Sequence, residues 1–399
     1  MTIDFAASPR SSVGIEWEFL TIDHTSGGPA PVATQMLDQL RADQGKPRVP
    51  HHSPVSFAPN DTQPQGADIF SELLTNTIEL ASHPRLTVAK AAADLAAGLE
   101  QITALAESFD ADLIAAGTHP FAQAALQPIT DSPRYQRLID QTAWWGHQQM
   151  ICGLHTHVGI DNRAKVMPIL HALSYYMGHL QALSAASPWW GGVDTGYASN
   201  RAMVFQQLPT SGLPLPFDDW SEWEAYAESL QRAKIVEQVN EIRWDIRPAP
   251  GFGTIEVRVC DSVPSLLEVE ALSALTQCLV EDASQALDQG QSQPGLPHWY
   301  VKENKFRAAR FGLDASVIIN QAGEQRPVRD DVADLVDRLQ PVAAHLGCLD
   351  QLNAIHQILE QGASCQRQQL AAAAKGGDLK AATVHLVDEL HAAQPLPPH

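Results

Sequence analysis

The chain has 399 residues, 44% of them hydrophobic, and its 26 basic against 46 acidic side chains leave a net charge of −20. That length and apolar content suit one large or two ordinary folded domains and exclude a disordered chain. The acidity argues against non-specific nucleic-acid binding, which needs cations to neutralise phosphates, but leaves nucleotides open through metal ions and a few arginines. The five cysteines, at 152, 260, 278, 348 and 365, form no CxxC pair and read as reduced thiols of a cytoplasmic protein. Met1 to Phe5 has no basic region followed by an apolar run, and no apolar stretch reaches membrane-spanning length. Neither a signal peptide nor a membrane partner is therefore expected.

In chain order, a first strand is expected over 13–21, where Glu16 and Glu18 share one face and Ile15, Trp17 and Phe19 the other. A Gly/Pro-rich loop at 26–31 leads to a short helix at 34–41, and 43–66 reads as loop. In 71–81 a two-residue Thr75-Asn76 turn would make Glu72 and Glu79 cross-strand partners. Ser82-His83-Pro84 starts a long Ala/Leu-rich helix at 85–109. A buried strand at 112–116 runs into Gly117-Thr118-His119-Pro120-Phe121, and 132–149 is helical. The strand that follows presents His155 and His157 on one face.

A long apolar helix is expected over 167–186; its His171 and His179 have no acid spaced with them and read as packing residues. Loops at 187–200 and 208–217 flank the next region, then a helix at 219–239 packs Trp220 and Trp223 inward. Residues 240–247 read as a strand with Glu241, Arg243, Asp245 and Arg247 opposite Ile242, Trp244 and Ile246. A turn at 248–253 makes it a hairpin with 254–261, where Thr254, Glu256 and Arg258 oppose Ile255, Val257 and Val259. Beyond Pro264 helices are expected at 265–289, 299–311, 328–346, 349–360 and 380–392, with Glu303, Lys305 and Arg307 as a solvated face.

Four strands with apolar backs and acid, imidazole or guanidinium fronts predict one sheet whose front lines a charged cavity. Carboxylates crowded there repel one another unless cations neutralise them, and the arginines beside them ask for phosphate or carboxylate. Gly251-Phe252-Gly253 is no dinucleotide fingerprint, because it precedes a strand and lacks the third glycine. No Walker A sequence and no GxSxG is present. His155 and His157 with nearby acids suit a zinc hydrolase. The oxygen-rich set of Glu16, Glu18, Glu72, Glu79 and Glu256 instead favours magnesium or manganese, and magnesium beside Arg258 suits ATP phosphates.

Seven stretches, in order over about 13–262, resemble the type 2 glutamate–cysteine ligases and the bacterial YbdK-like carboxylate–amine ligases. They are Gly14-Ile15-Glu16-Trp17-Glu18, Thr77-Ile78-Glu79-Leu80-Ala81, Gly117 to Phe121, Gly153-Leu154-His155-Thr156-His157-Val158-Gly159, Leu183 to Pro188, Trp244-Asp245-Ile246-Arg247-Pro248 and Phe252 to Val259. The resemblance implies an α+β, glutamine-synthetase-like fold: a curved antiparallel sheet around the active site, helices packed behind, and a mainly helical C-terminal part. The whole chain would be one catalytic domain, with its sheet core at about 13–262 and the helical part at about 263–392.

It also implies ATP-dependent, Mg2+- or Mn2+-dependent ligation of glutamate to cysteine through a γ-glutamyl phosphate, a step of low-molecular-weight thiol synthesis. The alternatives are another acid and small amine joined by the same chemistry, or a metal-dependent hydrolase. By the same resemblance Glu16, Glu18, Glu79, His155 and Glu256 are metal ligands, with Glu72 added on looser spacing. Glu256 and Arg258 carry catalysis, and Arg258 contacts phosphate. His157 matches a position that is not always histidine, which points to a structural role. Arg201 and Arg247 are candidates for a substrate carboxylate or nucleotide phosphate, with a structural salt bridge as the alternative for each. Small molecules are the expected partners, with a homo-oligomer left open.

Overall fold

The computed structural model describes residues 3–44, 66–291, 293 and 295–397. Its elements run β1 (Val13–Asp23), α1 (Ala33–Gln44), β2 (Asp68–Ser71), β3 (Thr77–Ala81), α2 (Val88–Glu107), β4 (Ala111–Ile114), α3 (Pro133–Thr142), β5 (Gly153–Gly159), α4 (Val166–Tyr175) and α5 (Met177–Ser184). Then come β6 (Trp189–Trp190), β7 (Val193–Asp194), α6 (Asn200–Phe205), α7 (Trp220–Arg232), β8 (Ile246–Ala249), β9 (Thr254–Asp261), α8 (Leu266–Asp288), α9 (His298–Phe311), β10 (Ser316–Ile318) and β11 (Gln325–Pro327). The chain ends in α10 (Val328–Leu346), α11 (Leu349–Asn353), α12 (Ile355–Gln361), α13 (Ser364–Ala374) and α14 (Leu379–Ala392). The loop expected at 43–66 lies mostly outside the described residues.

Seven strands form one antiparallel sheet in the order β2-β3-β1-β5-β9-β8, with β4 also paired to β1. Ile15, Trp17, Phe19, Ile255, Val257 and Val259 are buried on its back, in a core continuous with α2, α4, α5 and α8. Helix α8 is wrapped by protein over most of its length. It starts on an N-cap, with Ser265 Oγ accepting from the Glu268 amide. No helix of the described residues is long and apolar enough to cross a membrane.

Five local expectations are corrected. The β2–β3 hairpin exists, but Glu79 faces Phe70 and not Glu72, because β2 ends at Ser71 and the connection runs from 72 to 76. Leu73 and Leu74 cause this: both are buried in a second apolar cluster with Ile114, Met150 and Cys152, which pulls the connection out of the ladder. Residues 240–247 are not one strand. The Glu241 carboxylate accepts from the backbone of Glu237 at 2.6 Å and closes a turn of 3-10 helix at Val239–Glu241, so β8 begins only at Ile246.

The helix over 167–186 breaks at Tyr176, where Gly178 lies so close to α9 that a Cβ would sit 3.2 Å from the Asn304 carbonyl oxygen. Within that segment His179 is buried and has an acidic partner after all, Asp331 on α10 at 2.7 Å. Lys305 does not belong to a solvated face; it is buried, with Nζ 2.5 Å from the Asp245 carboxylate. Helix α13 and the β10–β11 hairpin were not expected. The Gly117–Phe121 motif is structural: His119 Nδ1 accepts from the Phe121 and Ala122 amides while Nε2 donates to the Gly27 carbonyl at 2.9 Å. Burial pushes this imidazole down to about 4, which keeps it neutral in that double role.

Candidate active site

Residues directly opposite in an antiparallel ladder share a face. Glu16 stands opposite His155, Glu18 opposite Glu79, His157 opposite Glu256, and Arg247 opposite Glu256. The alternating polar positions of β3, β1, β5, β9 and β8 thus meet on one front. The β5–β9 register shifts between Leu154, which faces Cys260, and Thr156, which faces Val257, so His155 stands against a bulge at Arg258 and Val259. The bulge offers two carbonyls to Arg201, which donates to Arg258 O at 3.2 Å and Val259 O at 3.4 Å. Gly153 is required beneath it. A Cβ there would lie 2.2 Å from Arg201 Nη2 and 2.8 Å from His155 Nε2.

His155 is the centre of the cluster. Its Nδ1 is 2.8 Å from Glu16 Oε2; its Nε2 is buried without a hydrogen-bond partner, 3.9 Å from Glu18 Oε1. Burial first, then the Arg258 charge, push its pKa down to about 4. Burial alone would raise Glu16, but His157 and His155 overcome it and hold this carboxylate well below its usual range. A neutral imidazole beside an ionised carboxylate puts the proton on Nδ1 and aims the Nε2 lone pair at Glu18 and Glu79. Burial, then the charges of Glu72 and Glu79, push Glu18 up to about 8.

Ligand atoms of Glu18, Glu79 and His155 lie within 4.8 Å of one another, as do those of Glu16, His155 and Glu256. An orphaned imidazole nitrogen facing carboxylates that repel one another is what a divalent cation resolves, and the excess of oxygen donors fits magnesium or manganese.

Arg247 and Arg258 both meet Glu256, at 2.7 and 3.1 Å. Burial would raise Glu256; Arg247, His157 and Arg258 instead hold it below the usual carboxylate range. Arg247 also donates to the Ile242 carbonyl at 3.0 Å, which ties it to the backbone. His157 Nδ1 meets Thr254 Oγ1 at 2.9 Å, and its Nε2 lies 3.3 Å from Glu16.

Two cavities reach this front. One of about 460 Å³ is lined by Glu18, Glu72, Arg201 and Arg258, and further out by Arg134, Arg137, Lys234 and Arg243. The other, about 290 Å³ beneath the 250–253 turn, touches His157, Arg247 and Glu256. The sequence analysis assigned no site role to Arg134, Arg137 or Lys234, and placed Arg243 only on the charged front of the strand expected at 240–247. The one available signal was the i, i+3 spacing of Arg134 and Arg137 on a helix. Phe205 was also missed. Its ring centroid lies 5.0 Å from Arg258 Cζ and 5.7 Å from Arg201 Cζ, a contact no local pattern announces.

The profile of Glutamate-cysteine ligase family 2 matches residues 12–385. A protein of Arthrobacter sp. (strain FB24), provisionally named a glutamate–cysteine ligase 2-1, is 46% identical over 390 residues, covering 98% of each chain. One of Mycobacterium tuberculosis (strain ATCC 25618 / H37Rv), provisionally named a glutamate–cysteine ligase 2, is 46% identical over 388 residues and covers 97% of each. Among solved structures, a glutamate–cysteine ligase from Francisella tularensis in complex with AMP aligns at TM-score 0.61 and 15% identity, over 98% of this chain and 94% of its own. A bifunctional glutathione synthetase from Pasteurella multocida aligns at 0.61 and 14% identity, over 96% of this chain and 52% of its own. At such identities the likeness is one of fold, and it is the glutamine-synthetase-like one: an antiparallel sheet with helices behind.

Proposed function

Because the chain belongs to glutamate-cysteine ligase family 2, we propose that it is an ATP-dependent carboxylate–amine ligase, with glutamate and cysteine as the leading substrates. The single observation that supports this most is the cluster of Glu16, Glu18, Glu79, His155 and Glu256 set beside Arg258 at the base of a cavity.

In this reading the γ-carboxylate of glutamate attacks the terminal phosphorus of ATP, the bond to ADP breaks, and a γ-glutamyl phosphate forms. The amine of cysteine then attacks the acyl carbon, phosphate leaves, and the amine gives up a proton. Both first partners are anionic, so the site must supply positive charge to bring them together. Glu18, Glu79 and His155 Nε2 would hold one divalent cation, with Glu16 orienting the imidazole through Nδ1. Glu16 and Glu256 would offer oxygens for a second, and Glu72 lines the larger cavity together with Glu18. A magnesium or manganese ion bound there supplies neutralisation of phosphate charge.

Arg258 is aimed by Glu256 and backed by Phe205, so its guanidinium meets the phosphoryl oxygens without reorganising. Arg201, which donates to the bulge carbonyls, holds the backbone of Arg258 and contributes its field to the cavity. Arg247 acts mainly through Glu256. The chain would work as one catalytic unit in the synthesis of a low-molecular-weight thiol.

The test is to incubate the protein with ATP, magnesium, glutamate and cysteine and to look for γ-glutamylcysteine by mass spectrometry. Its formation is the expected result. If another acid and amine are joined instead, the ligase chemistry stands and the substrate assignment falls. If ATP is never cleaved with any pair, the ligase reading falls.

A further inference from the structure

Asp261 is the last residue of β9, the strand that carries Glu256 and Arg258. It is buried and lines neither of the two cavities that reach the sheet front. Its carboxylate gathers three donors from the two ends of the 187–200 loop. Oδ2 accepts from the Ala186 amide at 3.0 Å and from Ser187 Oγ at 2.6 Å; Oδ1 accepts from Ser199 Oγ at 2.8 Å. Gly117 is pressed against the same group, where a Cβ would lie 2.6 Å from Asp261 Cγ and 2.7 Å from Ser187 Oγ. Burial raises the Asp261 carboxyl, and the charge of Arg201 is the largest effect opposing it.

Both serines pass this hold on to α6. Ser187 Oγ accepts from the Arg201 amide at 3.1 Å, and Ser199 Oγ caps the helix by accepting from the Ala202 amide at 3.2 Å. Asn200 Nδ2 adds a bond to the Ser187 carbonyl at 2.8 Å. With six residues, α6 is too short to be stable without such ties. From α6, Arg201 returns to β9 and donates to the Arg258 and Val259 carbonyls, which the bulge leaves outside the ladder with β5. Phe205 sets its ring beside the Arg258 guanidinium. The path closes on itself: β9 at Asp261, the two serines, α6, and β9 again at the bulge.

We propose that Asp261 is a positioning residue of the ligation: through Ser187 and Ser199 it fixes the start of α6, and so holds Arg201 and Phe205 against Arg258. This rests on the ligase reading and deepens it. The carboxylate is not one of the clustered metal-ligand groups and reaches no substrate. It acts by keeping the Arg258 guanidinium aimed before a phosphoryl group arrives, which leaves no reorganisation for the transition state. Without it the two serine hydroxyls lose their shared acceptor, and α6 can shift with both of its side chains. A misplacement of about 1 Å can cost about 10²-fold in rate.

The experiment is a double-mutant cycle on ATP-dependent phosphate release, run with whichever acid–amine pair the wild type joins. Asp261→Asn replaces one acceptor oxygen by a donor and should lower kcat about tenfold, with magnesium affinity by calorimetry unchanged. In an Arg201→Met background the same substitution should cost less than about twofold, because the group it positions is gone. If Arg201→Met leaves no measurable rate, Phe205→Leu serves as the background. Melting curves identify an Asp261→Asn protein that fails to fold. Ser187→Ala, which removes only the hydroxyl between Asp261 and the Arg201 amide, then gives the same comparison with a smaller loss. Equal losses in both backgrounds mean a general structural role and overturn the proposal, as does a normal kcat in the folded variants. Loss of magnesium affinity in folded Asp261→Asn assigns the residue to the metal cluster and overturns it too. A wild type that cleaves ATP with no acid–amine pair sinks the ligase reading, and this role with it; equal losses in an active enzyme sink this role alone.

Discussion

Two of the buried charge clusters among the described residues differ in kind: one is closed and the other is open. In the helical part, the fully buried Arg367 of α13 bonds Glu389 of α14 at 2.6 Å and Glu268 of α8 at 2.7 Å. Glu268 also accepts from Ser265 Oγ at 2.7 Å, and Glu389 from the Leu396 amide at 2.9 Å. Each carboxylate there is met by donors of the chain itself. On the sheet front, Glu256 has Arg247 and Arg258, but Glu18, which accepts from the Gly153 amide at 2.5 Å, faces Glu79 across the ladder and an imidazole nitrogen that donates nothing. The difference teaches how to tell a structural charge cluster from one built for something else. The first sets a guanidinium between its carboxylates, and the second crowds carboxylates that repel one another around an imidazole nitrogen without a hydrogen-bond partner.

That contrast can be broken from either side. The largest effect is expected in the closed cluster. Arg367→Met strands two buried carboxylates and should cost about 3–5 kcal/mol of stability by denaturant titration. The affinity of the sheet front for magnesium should not change. Loss of magnesium binding in folded Arg367→Met protein would mean that the clusters are coupled. In the open cluster, Glu18→Gln should lower turnover by about 10²–10³-fold, of the order found when one preorganised electrostatic group is removed. A near-normal rate would take Glu18 out of the site.

Arg258→Lys keeps the charge but loses the planar fork, and about a 10²-fold loss of turnover is expected. Near-normal turnover and ATP saturation in that variant would remove Arg258 from the mechanism. Metal-stripped protein should regain activity with magnesium or manganese and not with zinc, and magnesium at about 100 times its Kd should stabilise the fold by about 2.7 kcal/mol. Recovery with zinc alone would favour the hydrolase alternative. The smallest effect is the most discriminating. Because burial, Glu72 and Glu79 disfavour an ionised Glu18, Glu18→Gln should raise the melting temperature of the metal-free protein by about 1–3 °C. A fall in melting temperature would show that Glu18 serves the fold as Glu268 does.

The sheet front was legible from the sequence because β structure has a period of two. Glu16 and Glu18 against Ile15, Trp17 and Phe19, and Glu256 and Arg258 against Ile255, Val257 and Val259, carry their facing with them. Where a local side-chain bond or a buried pair competes with that period, the pattern misleads. Glu241 caps a turn and removes residues 240–245 from the strand. Leu73 and Leu74 dive into a separate cluster and shift Glu72 away from Glu79. Helix α13 went unseen because its inward face is polar, with Ser364, Arg367 and Gln368 buried beside Cys365, so no apolar stripe marks it.

By itself, then, the sequence determined the alternating strands, the helical C-terminal part, the family resemblance and the chemical types on the sheet front. These depend on neighbours within a few residues or on motifs kept in order along the chain. The tertiary structure alone decided which charges are completed. Lys305 finds Asp245 across 60 residues, His179 finds Asp331 across 152, and Arg367 finds Glu268 across 99. Arg243 finds no such partner among the described residues. Coulomb and desolvation energies depend on distance and burial in space, and neither is written into spacing along the chain.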